Sequence, residues 1–244
     1  MWVSTLTTMD LTKSYRIAVP ADILVRYELF ETRNAAGVLK VANEGAWAQV
    51  MDVLDEFRLI DDDLLLAGGE ESGLAKRMNR AFRSRGWREA QVDTHITLIQ
   101  RLVPFREAGE TEASIAESSV EAKGYKVDNM RDRIAVDLEW NAKDGNLDRD
   151  LAAYRALYDF GLIDGAVLIT RTVDDLRELG QWLRREAGMD QVEAMKVLGT
   201  STTTNTVKLR PRLERGDAGG CPVLAVAICR RTWDGWQTER DPQR

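Results

Sequence analysis

Two apolar runs in the second half of the chain constrain its fold most strongly. Residues 163–170 and 222–229 are long enough to be strands and consist mainly of apolar residues, a composition typical of strands buried on both faces of a sheet. Segments with a helical spacing of apolar residues lie before and between them, at 72–85, 148–160 and 173–186. This alternation predicts an α/β protein with a mixed central β-sheet flanked by helices on both faces.

Weaker patterns complete the predicted order of elements. Strand-like composition predicts further strands at 23–30 and 94–103, and helical spacing predicts helices at 34–42 and around 47–57. The segment 106–121 is rich in Glu, Ser and Ala, which indicates either a flexible loop or a marginal helix, and the polar residues 200–206 indicate a loop. No linker divides the chain, so we expect one domain over residues 1–244. It would comprise a helical N-terminal part (about 1–90), a sheet that carries the candidate site (about 92–229) and a C-terminal tail (230–244).

Composition excludes several classes of protein. The net charge of -6 argues against a protein that coats nucleic acid non-specifically, although basic residues can still be gathered in a cleft. One histidine and no Cys-x-x-Cys pair argue against a structural zinc site. The first ten residues have no basic region followed by an apolar run, and no segment has the roughly 18 apolar residues of a membrane span. We therefore expect a soluble, cytoplasmic protein.

Three acidic residues within residues 127–141 form the candidate site. Asp128 ends one strand-like piece, and Asp137 and Glu139 lie two positions apart in the next, so that both project from the same face. A charged turn between the two pieces lets Asp128 fold back beside them. Acids in such an apolar strand are costly to desolvate without a partner. A divalent cation can be that partner, and ligands that offer only oxygen suit magnesium better than zinc.

The spacing alone leaves a purely structural role open, because Asp-x-Glu pairs are common in a chain with 40 acidic residues. A bound magnesium ion would activate water and neutralise phosphoryl oxygens, which is the chemistry of phosphodiester hydrolysis. Asn141, Lys143 and Arg149 follow the acidic strand and could contact DNA. Arg149 could equally form an ion pair with a neighbouring acid.

The arrangement of Asp128 and then Asp137-x-Glu139 resembles the active site of the PD-(D/E)xK nucleases, with Glu139 where most members have lysine. Residues 127–141 are most similar to the type II restriction endonucleases of the BglII family. Two later segments support this resemblance: residues 200–204 with 208–212, and residues 219–224.

The resemblance implies a restriction-endonuclease-like core and a type II enzyme that cuts palindromic double-stranded DNA as a homodimer. It implies Mg²⁺ as cofactor, held by Asp128 and Asp137, with Glu139 as a third ligand or the general base. The chain departs from the family's common pattern, in which the second acid is often Glu, and it has no lysine at the position of Glu139 to orient water. Lys143 lies too far along the strand to replace that lysine simply.

The resemblance also favours DNA contact by the polar loop and the residues after it, namely Ser201, Thr202, Thr203, Asn205 and Lys208. The basic face of the predicted helix 72–85 is either a second DNA contact or a solvated helix face. Two rival functions remain open from the sequence. One is a nuclease of the same superfamily that recognises DNA structure in repair or recombination, and the other is a DNA-binding protein without catalysis.

Overall fold

The computed structural model describes residues 11–66, 72–199 and 202–236. Its sheet has the strand order β1-β6-β5-β4-β3-β2. The strands are β1 (Tyr27–Glu31), β2 (Arg88–Leu102), β3 (Ser114–Arg131), β4 (Ile134–Leu138), β5 (Gly165–Arg171) and β6 (Val223–Ile228). The central strands β4, β5 and β6 are parallel, whereas β1 is antiparallel to β6 and β3 is antiparallel to β4. The predicted mixed sheet is therefore confirmed.

Helices cover both faces of the central strands. They are α1 (Tyr15–Ala18), α2 (Ala21–Arg26), α3 (Ala35–Ala42), α4 (Glu44–Glu56), α5 (Asp62–Leu65), α6 (Gly73–Ser84), α7 (Gly145–Asp159), α8 (Asp174–Glu186), α9 (Gln191–Ala194) and α10 (Thr206–Arg215). Short 3-10 helices lie at Arg106–Ala108 and Arg230–Thr232. Every residue of β4, β5 and β6 is buried, which explains the continuous apolar runs that predicted β5 and β6.

The alternation of side chains along β4 sends alternate residues to opposite faces of the sheet. Ile134, Val136 and Leu138 join the main hydrophobic core with residues of α3, α4, α6 and α8. Asp137 points to the other face, where the hydroxyl of Tyr154 in α7 contacts it. Asp137 therefore lies in the interface between the sheet and α7.

Two predicted elements are wrong. Within the predicted strand 23–30, the residues up to Arg26 belong to α2, and β1 begins only at Tyr27. Pro20 immediately precedes α2, where its missing N–H is not needed, and Asp22 lies in the first turn, where the helix dipole favours an acid. These start signals outweigh the strand propensity of the apolar residues that follow.

The second wrong prediction concerns residues 106–121. The part from Ser114 onward is strand β3 and neither a loop nor a helix. The strand is exposed along most of its first half, so its polar composition does not show the alternation that marks a half-buried strand. Its neighbour in the sheet, not a local pattern, specifies its conformation.

Helix α10 was also absent from the predicted elements. Pro211 lies inside it, and proline in a helix interior ordinarily argues against a helix because it lacks the N–H and its ring clashes with the preceding turn. The helix begins with a side-chain cap, since Asn205 Oδ1 accepts a hydrogen bond from Lys208 N at 3.2 Å.

Residues Ala90–Lys126 form a compact unit of their own, which contains most of β2 and the part of β3 before Val127. Within it, Gly124 N donates to Asp93 Oδ1 at 2.8 Å. A Cβ atom on Gly124 would clash with the backbone carbonyl of Val92, so this pairing requires glycine. The single domain over residues 1–244 stays a prediction.

The sheet is not confined to the predicted range 92–229, because the N-terminal part supplies β1 and the first residues of β2. Within the described ranges, no helix is both long enough and apolar enough to cross a bilayer.

Candidate active site

The hairpin of β3 and β4 brings Asp128 directly beside Asp137. Asn129 pairs with Val136 in the ladder, so the preceding residue of one strand faces the following residue of the other. Asp128 N donates to Asp137 Oδ1 at 2.7 Å, and Leu138 N donates to Asp128 Oδ2 at 3.3 Å. The expected convergence of these two acids is a feature of the structure.

Asp137 is held in a buried position between β4 and α7. Its side chain accepts a second hydrogen bond at Oδ2, from the hydroxyl of Tyr154 at 2.6 Å. Burial raises the pKa of Asp137 from 3.8 to about 7, and the negative charges of Asp128 and Asp150 add to the rise, whereas the bond from Tyr154 opposes it. Two hydrogen bonds therefore fix the orientation of the Asp137 carboxylate, but no basic side chain of the described residues forms an ion pair with it.

Glu139 follows β4 at the same end of the sheet, with its backbone fixed on both sides. Its N–H donates to the Ile169 carbonyl at 2.8 Å, and its carbonyl accepts from Thr204 Oγ1 at 2.9 Å. Its side chain is weakly held, since Oε1 lies 3.5 Å from Asn146 Nδ2 and 4.0 Å from an Arg149 nitrogen. Glu139 Oε2 is buried and accepts no hydrogen bond from an N–H or hydroxyl group of the described residues. Burial, together with the neighbouring Asp150 carboxyl that shares a proton with it, raises the pKa of Glu139 to about 9.

Asp150, in the second turn of α7, is a buried acid that the sequence analysis did not select. Only 2% of the residue is exposed. Its Oδ1 accepts two bonds from Arg149, at 3.0 and 3.1 Å, while its buried Oδ2 accepts none from an N–H or hydroxyl group of the described residues. A side-chain hydrogen bond joins Asp150 to Glu139. A signal did exist, because Asp150 lies within the stripe of Leu147, Leu151 and Tyr154 that predicted the buried face of this helix.

The acids fit a divalent cation by their chemistry, although their arrangement is not that of a completed site. No group of three or more His, Cys, Asp or Glu side chains in the described part of the chain is positioned to hold a metal ion. Burial raises the pKa values of Asp128, Asp137, Glu139 and Asp150. The negative charges of neighbouring acids add to the rise, and for Asp128 this neighbour is Glu89. Four crowded carboxylates offer the hard oxygen donors that magnesium prefers.

The two segments predicted to contact DNA lie side by side. Lys143 forms an isolated β-bridge with Thr203, Asp144 N donates to the Thr202 carbonyl at 2.9 Å, and Thr204 N donates to the Ala142 carbonyl at 2.9 Å. Four of the predicted contacts are exposed or half-buried in this part of the surface: Asn141, Lys143, Thr202 and Thr203. Arg149 is also exposed and lies next to the acids. Ser201 lies outside the described residues.

The remaining predicted DNA contacts already have partners within the protein. Lys208 Nζ forms an ion pair with Asp144 Oδ2 at 3.0 Å. Asn205 is almost fully buried, and besides capping α10 it donates from Nδ2 to the Thr203 carbonyl at 3.0 Å. DNA contact by these two residues stays a prediction.

A buried arginine that the sequence analysis missed supports both segments. Arg171, at the end of β5, is fully buried and donates to Asn141 Oδ1, the Gly199 carbonyl and Thr203 Oγ1 at 3.0 to 3.1 Å. Burial lowers its pKa to about 10, and the positive charge of Arg177 adds to this effect. Asn141 adopts a left-handed conformation, with φ of 58°, so the contact with Arg171 helps to hold a strained loop.

Two of the four acids, Asp128 and Glu139, line an open cleft of about 1100 Å³. Asp128, Glu139, Asn141 and Arg149 line the cleft together with Asn146. Basic side chains of other elements also line it, from α6, α8 and the segment after α9: Arg77, Arg184 and Lys196. A cleft with acids at one end and basic groups around it can admit a polyanion and hold a cation beside it.

The mixed sheet, with buried acids at the end of a central strand and beside an open cleft, defines an α/β protein with a restriction-endonuclease-like core. A family model described as "Restriction endonuclease BglII/BglIII" matches residues 27–228, which is most of the chain. The chain therefore belongs to this family and is a DNA-cleaving hydrolase, a type II site-specific deoxyribonuclease. No curated protein sequence shows a significant match to the chain.

Proposed function

We propose that this protein is a magnesium-dependent restriction endonuclease that hydrolyses both strands of a short palindromic DNA site as a homodimer. The observation that carries the proposal is the pairing of Asp128 with Asp137 at the end of the central sheet. Next to them lies Glu139, whose Oε2 accepts no bond from an N–H or hydroxyl group of the described residues.

Phosphodiester hydrolysis needs a nucleophilic water, neutralisation of the phosphoryl charge and stabilisation of the leaving oxygen. A bound magnesium ion supplies these effects by lowering the pKa of water and by neutralising phosphoryl oxygens. In this chain, Asp128 and Asp137 would hold the ion, and Tyr154 would keep Asp137 in its orientation through the bond at 2.6 Å. Glu139 would act as a third ligand or would accept the proton of the attacking water.

The surface around the acids supports a bound phosphate backbone. Arg149 lies 4.0 Å from Glu139 and is exposed, so it can reach a phosphate next to the acids. Asn141, Lys143, Thr202 and Thr203 lie beside each other and can contact phosphates or base edges. The buried Arg171 supports this surface through its hydrogen bonds to Asn141 and Thr203.

The homodimer is proposed from the symmetry of the substrate. A palindrome presents the same sequence on both strands, so two copies of one chain related by a two-fold axis place one active site on each strand. A cytoplasmic location forms part of the same proposal, because the substrate is DNA.

The decisive experiment is the digestion of a plasmid of known sequence with sequencing of the fragment ends. We expect discrete fragments that end at one palindromic site in the presence of Mg²⁺, and no cleavage in EDTA. Full cleavage in EDTA would overturn the role of magnesium.

Two other outcomes of the same digest would support different functions. Smears, or nicks at branched or damaged DNA, would indicate a repair or recombination nuclease. Binding of DNA without cleavage under any metal condition would indicate a DNA-binding protein without catalysis.

A further inference from the structure

Helix α7 presents a second pair of polar side chains to the acids of the sheet. Asp150 and Tyr154 are four positions apart, so they lie on the same face of the helix. Tyr154 contacts Asp137, and both residues of the pair are buried. The candidate site therefore lies between two elements. The end of β4 carries Asp137 and is followed by Glu139, and α7 carries Asp150 and Tyr154.

The positive charge near these acids is too small to balance them. The ion pairs of the described residues give Asp128, Asp137, Glu139 and Asp150 one basic partner, Arg149. Arg149 engages Asp150 through Oδ1 alone. Asp150 Oδ2 and Glu139 Oε2 are buried and accept no bond from an N–H or hydroxyl group in the described part of the chain, so the two carboxyls have only each other as partners on this side. Burial of a carboxylate without a compensating charge is strongly unfavourable.

A purely structural role does not explain why Asp150 is buried. The side chain of Arg149 is 62% exposed, and an ion pair with such an exposed partner contributes little stability and would form as well at the surface. Asp150 is the sixth residue of α7, beyond the first turn in which the helix dipole stabilises an acid. In the metal-free protein a proton shared with the Glu139 carboxyl relieves this burial, and a divalent cation between the two carboxyls would replace that proton and balance both charges.

We propose that Asp150 is a fourth acidic residue of the metal site and that Asp150 and Glu139 together hold a divalent cation. Glu139 Oε2 and Asp150 Oδ2, which accept no hydrogen bond from an N–H or hydroxyl group of the described residues, would be the donors for this ion, and carboxylates of this kind suit magnesium or manganese. The inference rests on the proposed function, since it assumes that the acidic site takes a metal.

The test measures metal binding by the full chain without DNA, so that it does not depend on catalysis. Titration calorimetry with Mn²⁺ gives the affinity, and thermal unfolding in EDTA and in excess Mg²⁺ gives the shift in Tm. For Asp150→Asn we expect an affinity at least about tenfold weaker than that of the wild type and a smaller metal-induced rise in Tm. We also expect a Tm in EDTA at or above that of the wild type, because one buried negative charge has been removed.

Asp148→Asn is the matched control, since Asp148 is on the same helix and its side chain is 55% exposed and paired with Arg212. We expect it to retain the wild-type affinity for Mn²⁺. If Asp150→Asn does not fold, Asp150→Ser carries the same expectation, because it is also uncharged and smaller.

The outcomes separate this inference from the proposed function. Wild-type protein that binds no Mn²⁺ would overturn the metal site and with it the proposed magnesium dependence. Wild-type protein that binds Mn²⁺ while Asp150→Asn binds it equally well, with a lower Tm in EDTA, would show that Asp150 is structural and would overturn this inference alone.

Discussion

At the residue scale, the site depends on how each acid is held. Asp128 and Asp137 are fixed to each other through a backbone N–H, and Tyr154 fixes the remaining oxygen of Asp137. Glu139 has a fixed backbone but a weakly held side chain. The first two acids are thus oriented by backbone and hydroxyl donors, whereas the side chain of Glu139 is held mainly by the neighbouring Asp150 carboxyl.

The first residue-scale prediction concerns the paired acids. Asp128→Asn and Asp137→Asn should each lower the rate of DNA cleavage by at least about 100-fold, because loss of a metal ligand removes several kcal/mol of transition-state stabilisation. DNA affinity, measured by fluorescence anisotropy, should remain near that of the wild type. Asp132→Asn, in the exposed turn between the same strands, is the control and should cleave normally. Cleavage at the wild-type rate by Asp137→Asn would contradict the proposed site.

Glu139 allows a second prediction at this scale. Glu139→Gln keeps an oxygen that can ligate a cation, whereas Glu139→Ala removes it. If Glu139 acts as a ligand, the glutamine variant should cleave DNA faster than the alanine variant, as measured by single-turnover kinetics. Equal loss of activity in both variants would instead indicate that Glu139 acts as the general base.

The raised pKa of Asp137 gives a third prediction. The pKa is about 7 in the folded protein against an ordinary value of 3.8, so the folded state binds this proton more tightly than the unfolded state. In EDTA, the contribution of protonated Asp137 to the free energy of unfolding is therefore present at low pH. It is lost as the pH rises through about 7, where the carboxyl ionises in the folded protein. Urea unfolding between about pH 5 and about pH 8 should show a steeper loss of stability for the wild type than for Asp137→Asn. Parallel pH profiles for the two proteins would contradict the burial of a charged Asp137.

At the element scale, local patterns predicted the elements with strong periodicity and failed where neighbours decide the conformation. The apolar runs predicted β5 and β6, and the helical stripes predicted α6, α7 and α8. Strand β3 was missed because its exposed half lacks alternation, and α10 was missed because Pro211 argues against a helix. Both elements depend on partners distant in the sequence.

The cap of α10 gives a prediction at this scale. Asn205→Ala should lower the free energy of unfolding by about 1 kcal/mol, because the side chain satisfies the N–H of Lys208 at the start of the helix. Thr202→Ala, at an exposed position in the same loop, should change it much less. Urea denaturation measures both variants, and an unchanged midpoint for Asn205→Ala would show that the cap contributes no stability.

At the scale of the whole molecule, the function requires an assembly and a polyanionic ligand. Light scattering in solution should give a mass of twice the 27.5 kDa of one chain. A complex that contains one protein chain per DNA duplex would contradict the homodimer. Such a monomer should cut only one strand of the duplex.

The logarithm of the DNA association constant should fall linearly with the logarithm of the salt concentration, because phosphate contacts release counterions.

The sequence by itself determined the fold class and the approach of Asp128 to Asp137 across the hairpin. Apolar runs specify buried strands, and the two-residue period of a strand fixes which acids share a face, because both are local properties of the backbone. Only the tertiary structure decided that Asp150 and Tyr154 close the site and that Arg171 supports the loops beside it. Helical spacing alone puts Asp150 and Tyr154 on one face of α7. Which strand that face meets, and which loops Arg171 joins, depends on the packing of separate elements, which no local spacing displays.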